Sequence, residues 1–222
     1  MPDRRQFLGT LAVAGAATLT STPVLGASPI VPPHGGGSQQ KWDLTWLEQV
    51  KAKAHKQVFD MGTLDTGGVS PIHFPFFWLN AQHDVYGSTD AQLAAVVGVA
   101  GNAFPMDFKD AMWAKYPLGD HWKVMDPKTN APSKRNVFAD PAESGLPANW
   151  TVQALQKRGV IFWMCNNALT LISGMMADAT KQTHDAVYAE FKANLLPGVK
   201  LVPSHTMMLT ACQEHGCSYQ RV

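Results

Sequence analysis

The stretch AQLAAVVGVAG at 91–101 is almost unbroken in its apolar character. It lacks the polar-apolar alternation of a strand with one wet face. It therefore reads as a strand buried on both faces, the kind found in parallel sheets covered by helices above and below. VIFWM at 160–164 has the same character and follows Gly159, which fits the C′ position of a helix over 149–159. Between and around these runs, apolar strands alternate with helical patterns, and that alternation is the signature of crossover connections.

Further strands are expected at KQVFDMG (56–62), GVKLVP (198–203) and the terminal CSYQRV (217–222). Helices are expected at 75–87, ended by Gly87, at 103–116, at 166–179, at 184–195, and at 204–216, capped by Ser204 and closed by Gly216. Residues 117–147 interrupt the pattern with five prolines, and a connection of that length covers a site, meets another subunit or moves. Its basic residues Lys123, Lys128, Lys134 and Arg135 read as a solvated face. The expected architecture is α/β, a single domain over 42–222 with a mostly parallel central sheet of about five strands.

Ahead of that domain, Arg4 and Arg5 precede Phe7, Leu8 and a weakly apolar run ending in small residues. The order reads as a twin-arginine export signal over 1–27, followed by a Pro/Gly/Ser-rich tether over 28–41. The mature protein is then expected in the periplasm. No other window approaches the roughly 18 uninterrupted apolar residues of a membrane helix. The chain carries 18 basic and 17 acidic side chains, and removal of Asp3, Arg4 and Arg5 with the signal balances the two signs. Such neutrality offers nothing for a nucleic-acid backbone.

In an open parallel sheet the working edge lies beyond the carboxyl ends of the strands. Reading along that edge gives Asp65 after the first strand, Gly101 and Asn102 after the second, Cys165, Asn166 and Asn167 after the third, and Ser204 and His205 after the fourth. At a strand-to-helix junction, Cys165 is expected to face the unpaired amides of the helix's first turn, which favour a thiolate. The competing reading is a core cysteine, since free cysteine is among the most buried residue types.

ALQKRGVIFWMCNNAL resembles the helix-Gly-Val-strand-Cys segment of the DsrE/DsrF-like sulfur-relay family. LLPGVKLVPSHTMMLTACQEHGCSY is similar to the same family's C-terminal segment, with its Val-Pro-Ser turn. The likeness spans roughly residues 57–221, with 117–147 foreign to it. It implies a three-layer, flavodoxin-like fold, assembly into trimers or larger rings, and Cys165 as the residue that accepts sulfane sulfur as a persulfide, with Ser204 at the turn. A sulfur donor or acceptor, either a protein or a small sulfur compound, is the implied partner, and no cofactor is implied. Asn166, Asn102 and His205 are then the candidate hydrogen-bond partners of the sulfur, beside Gly101. Where relatives carry His-Gly after the second strand this chain has Ala100-Gly101, and where they carry Ser-Gly it has Ser204-His205.

HTMMLTACQEHGC offers a different constellation. Met208, Cys212 and His215 share one helical face, and thioether, thiolate and imidazole suit copper or zinc; the alternative is that they form the stripe packed on the sheet. The alternative function is accordingly a noncatalytic oligomeric protein that binds a small ligand or a soft metal. A Cys212–Cys217 disulfide is a third possibility. The three cysteines of the chain leave at least one free, metal-bound or joined to another chain. His83 and Asp84 carry no assigned role, and FPFFW at 74–78 reads as core or subunit contact.

Overall fold

A computed structural model of the chain describes residues 41–64, 70–140, 142 and 146–222. The export signal, nearly all of the tether, and Asp65 lie outside these residues. The unit Trp42–Val222 opens with α1 (Trp46–Lys51), β1 (His55–Met61), α2 (His73–Tyr86) and β2 (Leu93–Val99). A 3-10 segment (Gly101–Asp107), α3 (Asp110–Lys115), α4 (Leu118–Trp122) and a short hairpin of β3 (Met125–Asp126) and β4 (Ala131–Pro132) follow. The chain then forms α5 (Val152–Lys157), β5 (Ile161–Cys165), α6 (Asn166–Thr180), α7 (His184–Ala193), β6 (Lys200–Val202), α8 (His205–Glu214) and β7 (Ser218–Arg221).

Five strands form one parallel sheet in the order β6-β5-β2-β1-β7. All seven residues of β2, the central strand, are buried, as its unbroken apolar run demands. Strand pleating sends alternate side chains to opposite faces. Phe59, Met61, Val97, Val99, Phe162 and Met164 enter a core with α2, α5, α6 and α7. Val58, Ala94, Val96 and Trp163 enter a second core with α1 and α8. The result is a three-layer α/β sandwich. Among the described residues no helix is long and apolar enough to cross a membrane.

The strand order explains a peculiarity of α8. The chain steps in one direction from β1 through β2 and β5 to β6, and then returns to pair β7 with β1 at the opposite edge. That return is made by α8, which packs on β1 and β2 on the way. Its first residue therefore lies near β6, and its last turn lies near β7.

The expected helix over 103–116 is instead broken in two. Phe108 and Lys109 are extended, and Phe108 forms an isolated antiparallel bridge with Leu195. Asn136 causes part of this: its Nδ2 donates to Met106 O at 2.7 Å and to Phe108 O at 2.6 Å, carbonyls that a continuous helix would use internally. The 117–147 segment is thus built into the core at Val137, Phe138 and Ala139. Arg135 also departs from the solvated-face reading. Its Nε and Nη2 grip Asp126 at 2.7 and 2.9 Å, with the two side chains 18% and 8% exposed. Lys123, Lys128 and Lys134 are exposed.

Candidate functional site

Asp60, Gly98 and Trp163 stand in register across three adjacent strands and project toward α8. Gly98 is the necessary gap in that row. A Cβ built on it would lie 2.3 Å from Trp163 Cζ2 and 2.9 Å from His205 Cε1. The indole therefore lies over the central strand, and the imidazole of His205 reaches across it from the start of α8 to β1.

Both nitrogens of His205 are engaged. Trp163 Nε1 donates to His205 Nδ1 at 3.3 Å, and Nε2 lies 2.7 Å from Asp60 Oδ1. An indole N–H can only donate, so Nδ1 is the acceptor and the ring proton sits on Nε2, facing the carboxylate. Tyr219 of β7 donates its hydroxyl to Asp60 Oδ2 at 2.7 Å, and this bond to a carboxylate pushes the phenol above its ordinary range. Four elements (β1, β5, α8 and β7) thus meet in one hydrogen-bonded chain, whose outer member Tyr219 is 46% exposed.

Cys165 is the last residue of β5 and the N-cap of α6, but its sulfur does not cap that helix. The backbone N–H of His205 donates to Cys165 Sγ at 3.3 Å. The expectation that the sulfur faces the amides of its own helix is corrected here. Pairing of Cys165 with Val202 on β6 brings the start of α8 alongside, and its first amide takes the sulfur. Cys165 is 5% exposed, so access to the thiol is narrow.

The remaining residues singled out from the sequence fall in different places. His205 meets Cys165, through its backbone rather than its ring. Asn166 is buried, and its Oδ1 accepts from Tyr188 at 2.6 Å, which ties α6 to α7 instead of serving the sulfur. Asn102 is exposed beyond β2, and its backbone N–H donates to Gly62 O at 2.9 Å. Gly101 adopts φ +52°, and a Cβ there would lie 2.9 Å from the same carbonyl, so a side chain would part the two loops. Ser204 holds the N-cap position of α8 without a side-chain cap; its hydroxyl pairs with Thr206 Oγ1 at 3.1 Å.

Asp60, Gly98, Trp163 and Tyr219 escaped the sequence reading, which looked only past the strand ends. Their signals were present: a carboxylate and a glycine inside runs otherwise made for burial.

The Met208, Cys212 and His215 set divides. Met208 and Cys212 are fully buried in the core beneath α8, whereas His215 Nδ1 hydrogen-bonds Ala211 O at 2.7 Å and Nε2 lies 3.5 Å from Glu48. Among the described residues no group of three or more His, Cys, Asp or Glu is placed to hold a metal. The neighbouring Cys217 and burial hold the Cys212 thiol well above its ordinary range, whereas Cys212 and the Lys56 ammonium lower that of Cys217.

A cleft of about 380 Å³ lies at the other end of the strands, beside Leu93, Ile161, Lys53 and Arg158. Arg158 is committed there to Asp90 and Asn80. That edge is opposite the one at which open sheets present ligand sites.

No family model and no curated protein matches the chain. Among solved structures, a protein of unknown function from Methanobacterium thermoautotrophicum is similar over 76% of this chain and 99% of its own, at 15% identity and a TM-score of 0.37. A likeness at that level carries no argument about chemistry.

Proposed function

We propose that the protein is a sulfur-relay protein of the DsrE/DsrF-like type, exported by the twin-arginine route, that accepts sulfane sulfur on Cys165. The observation that supports this reading best is the His205 N–H aimed at Cys165 Sγ, at the carboxyl edge of a parallel sheet. The thiolate attacks the outer sulfur of a persulfide donor R–S–SH. The donor's S–S bond breaks, RS⁻ leaves, and Cys165 carries the outer sulfur as S–SH. An acceptor thiolate then takes the same sulfur and releases the Cys165 thiolate. In the second step negative charge returns to Cys165 Sγ, where the fixed His205 amide donor stabilises it without reorganising.

His205 is a positioning residue in this scheme. With Nδ1 taken by Trp163 and Nε2 by Asp60, its ring cannot serve as base to Cys165; the two bonds instead hold the first turn of α8 so that its amide meets the sulfur. The test is incubation with glutathione persulfide followed by intact mass. Wild type is expected to gain one sulfur atom, and Cys165→Ser none. No gain by wild type, or equal gain by the variant, overturns the reading.

The narrow exposure of Cys165 favours a second reading: a noncatalytic oligomeric protein of the same fold that holds a small ligand or a soft metal. Elemental analysis of the folded protein with thiol titration separates the two. Stoichiometric copper or zinc that is lost in Cys212→Ser supports the second, and a metal-free protein with one fast-reacting thiol supports the first.

A further inference from the structure

The end of α8 is closed by a specific turn. Gly216 sits at φ +89° and donates its N–H to Gln213 O at 2.9 Å, while Cys217 N–H donates to Cys212 O at 2.9 Å. These two bonds define the Schellman motif, in which the residue just beyond the turn packs against the residue three positions inside the helix end. The same motif ends α5, where Gly159 and Val160 donate to Gln156 and Leu155, and the facing side chains are the apolar pair Leu155 and Val160. At the end of α8 both facing side chains are cysteines, and both are buried in the core beneath that helix.

We infer that Cys212 and Cys217 form a redox-active dithiol that closes to an intramolecular disulfide by exchange with a small disulfide oxidant. Their burial sets the order of events. Cys212 is wholly inaccessible and Cys217 is 7% exposed, so the oxidant meets Cys217. The alkyl chain of Lys56 lies over Gly216 beside it, where a Cβ would come within 2.8 Å of Lys56 Cε, and brings an ammonium group to the approach. Cys217 as thiolate attacks one sulfur of R–S–S–R, forms Cys217–S–S–R and releases RS⁻. Cys212 then gives up its proton and attacks the Cys217 sulfur, the mixed disulfide bond breaks, and a second RS⁻ leaves. The two cysteines lose two electrons, the oxidant gains them, and two protons pass to the released thiolates. The turn already sets the two side chains on facing positions, so closure requires no refolding of α8 or β7.

This inference is independent of the role given to Cys165. The experiment equilibrates the folded full chain in glutathione buffers of increasing oxidised fraction, followed by alkylation and tryptic digestion. Lys200 and Arg221 bound a peptide, 201–221, that carries both cysteines. In wild type and in Cys165→Ser this peptide is expected to lose both alkylatable thiols together and become two hydrogens lighter. In Cys212→Ser a glutathione adduct is expected to remain on Cys217. A wild-type peptide that keeps two alkylatable thiols in fully oxidised buffer overturns the inference. So does one that accumulates a stable glutathione adduct, or one that crosslinks to Cys165. Should Cys212→Ser fail to fold, the wild-type and Cys165→Ser peptides decide alone.

Discussion

At Gly98 the absence of a side chain is what admits the rest of the site. In most buried strands a glycine forfeits packing, but here Trp163 and His205 fill the space above it. Gly98→Ala is expected to force the indole aside and to cost about 1–3 kcal/mol, as overpacking does in other cores. It also loosens the Trp163-to-His205 hydrogen bond. Urea denaturation measures the first effect, and the rate of Cys165 alkylation in the folded state measures the second; an unchanged midpoint together with an unchanged rate would contradict the account. Cys165 itself illustrates the limit of reading one residue at a time. Its position at a strand end was legible, but the identity of its hydrogen-bond donor was not, because His205 lies forty residues further on and reaches it only through strand pairing.

Among elements, the segment 117–147 shows how far a polar, proline-rich sequence can be absorbed into a fold. Asn136 carries much of that integration. It is 2% exposed, it donates to Met106 O and Phe108 O, and its Oδ1 accepts from Phe138 N at 2.9 Å. Asn136→Ala leaves two buried carbonyls and one amide without partners, and the expected loss is roughly 2–4 kcal/mol in chemical denaturation. A loss under about half a kcal/mol, the range of ordinary surface changes, would mean that the segment is only laid on the surface. The strands were readable beforehand because continuous apolar runs admit few other fates. The break at Phe108 and Lys109 was not, since part of its cause is an asparagine nearly thirty residues away.

For the molecule as a whole, two carboxyl groups act on stability in opposite senses. Asp126 accepts the fork of Arg135, with the backbone N–H of Lys128 also donating to it, and is held down to about 2. Its contribution is complete above its unfolded value near 4 and disappears as pH falls from there toward 2. Asp107 is fully buried, neither carboxyl oxygen has a partner, and burial pushes its carboxyl well above the ordinary range. The folded chain therefore keeps a proton that the unfolded chain releases above about pH 4, and stability declines as pH rises from that point. Asp107→Asn removes this decline. Urea midpoints at pH 4 and pH 7 should show the variant gaining on wild type at the higher pH, whereas parallel changes would show that Asp107 has no such role.

The order of apolar runs and helical patterns was enough to specify a parallel sheet with helices on both faces, because burial on two sides leaves a strand no polar positions and requires a covering layer. The sequence also placed Cys165 at the working edge of that sheet. Tertiary structure alone decided what surrounds it. The return of α8 from β6 to β7 sets His205 over Gly98 and joins Asp60 to Trp163 through an imidazole. These contacts depend on which strands are neighbours. Strand order arises from the packing of the entire chain, and no local stretch of residues encodes it.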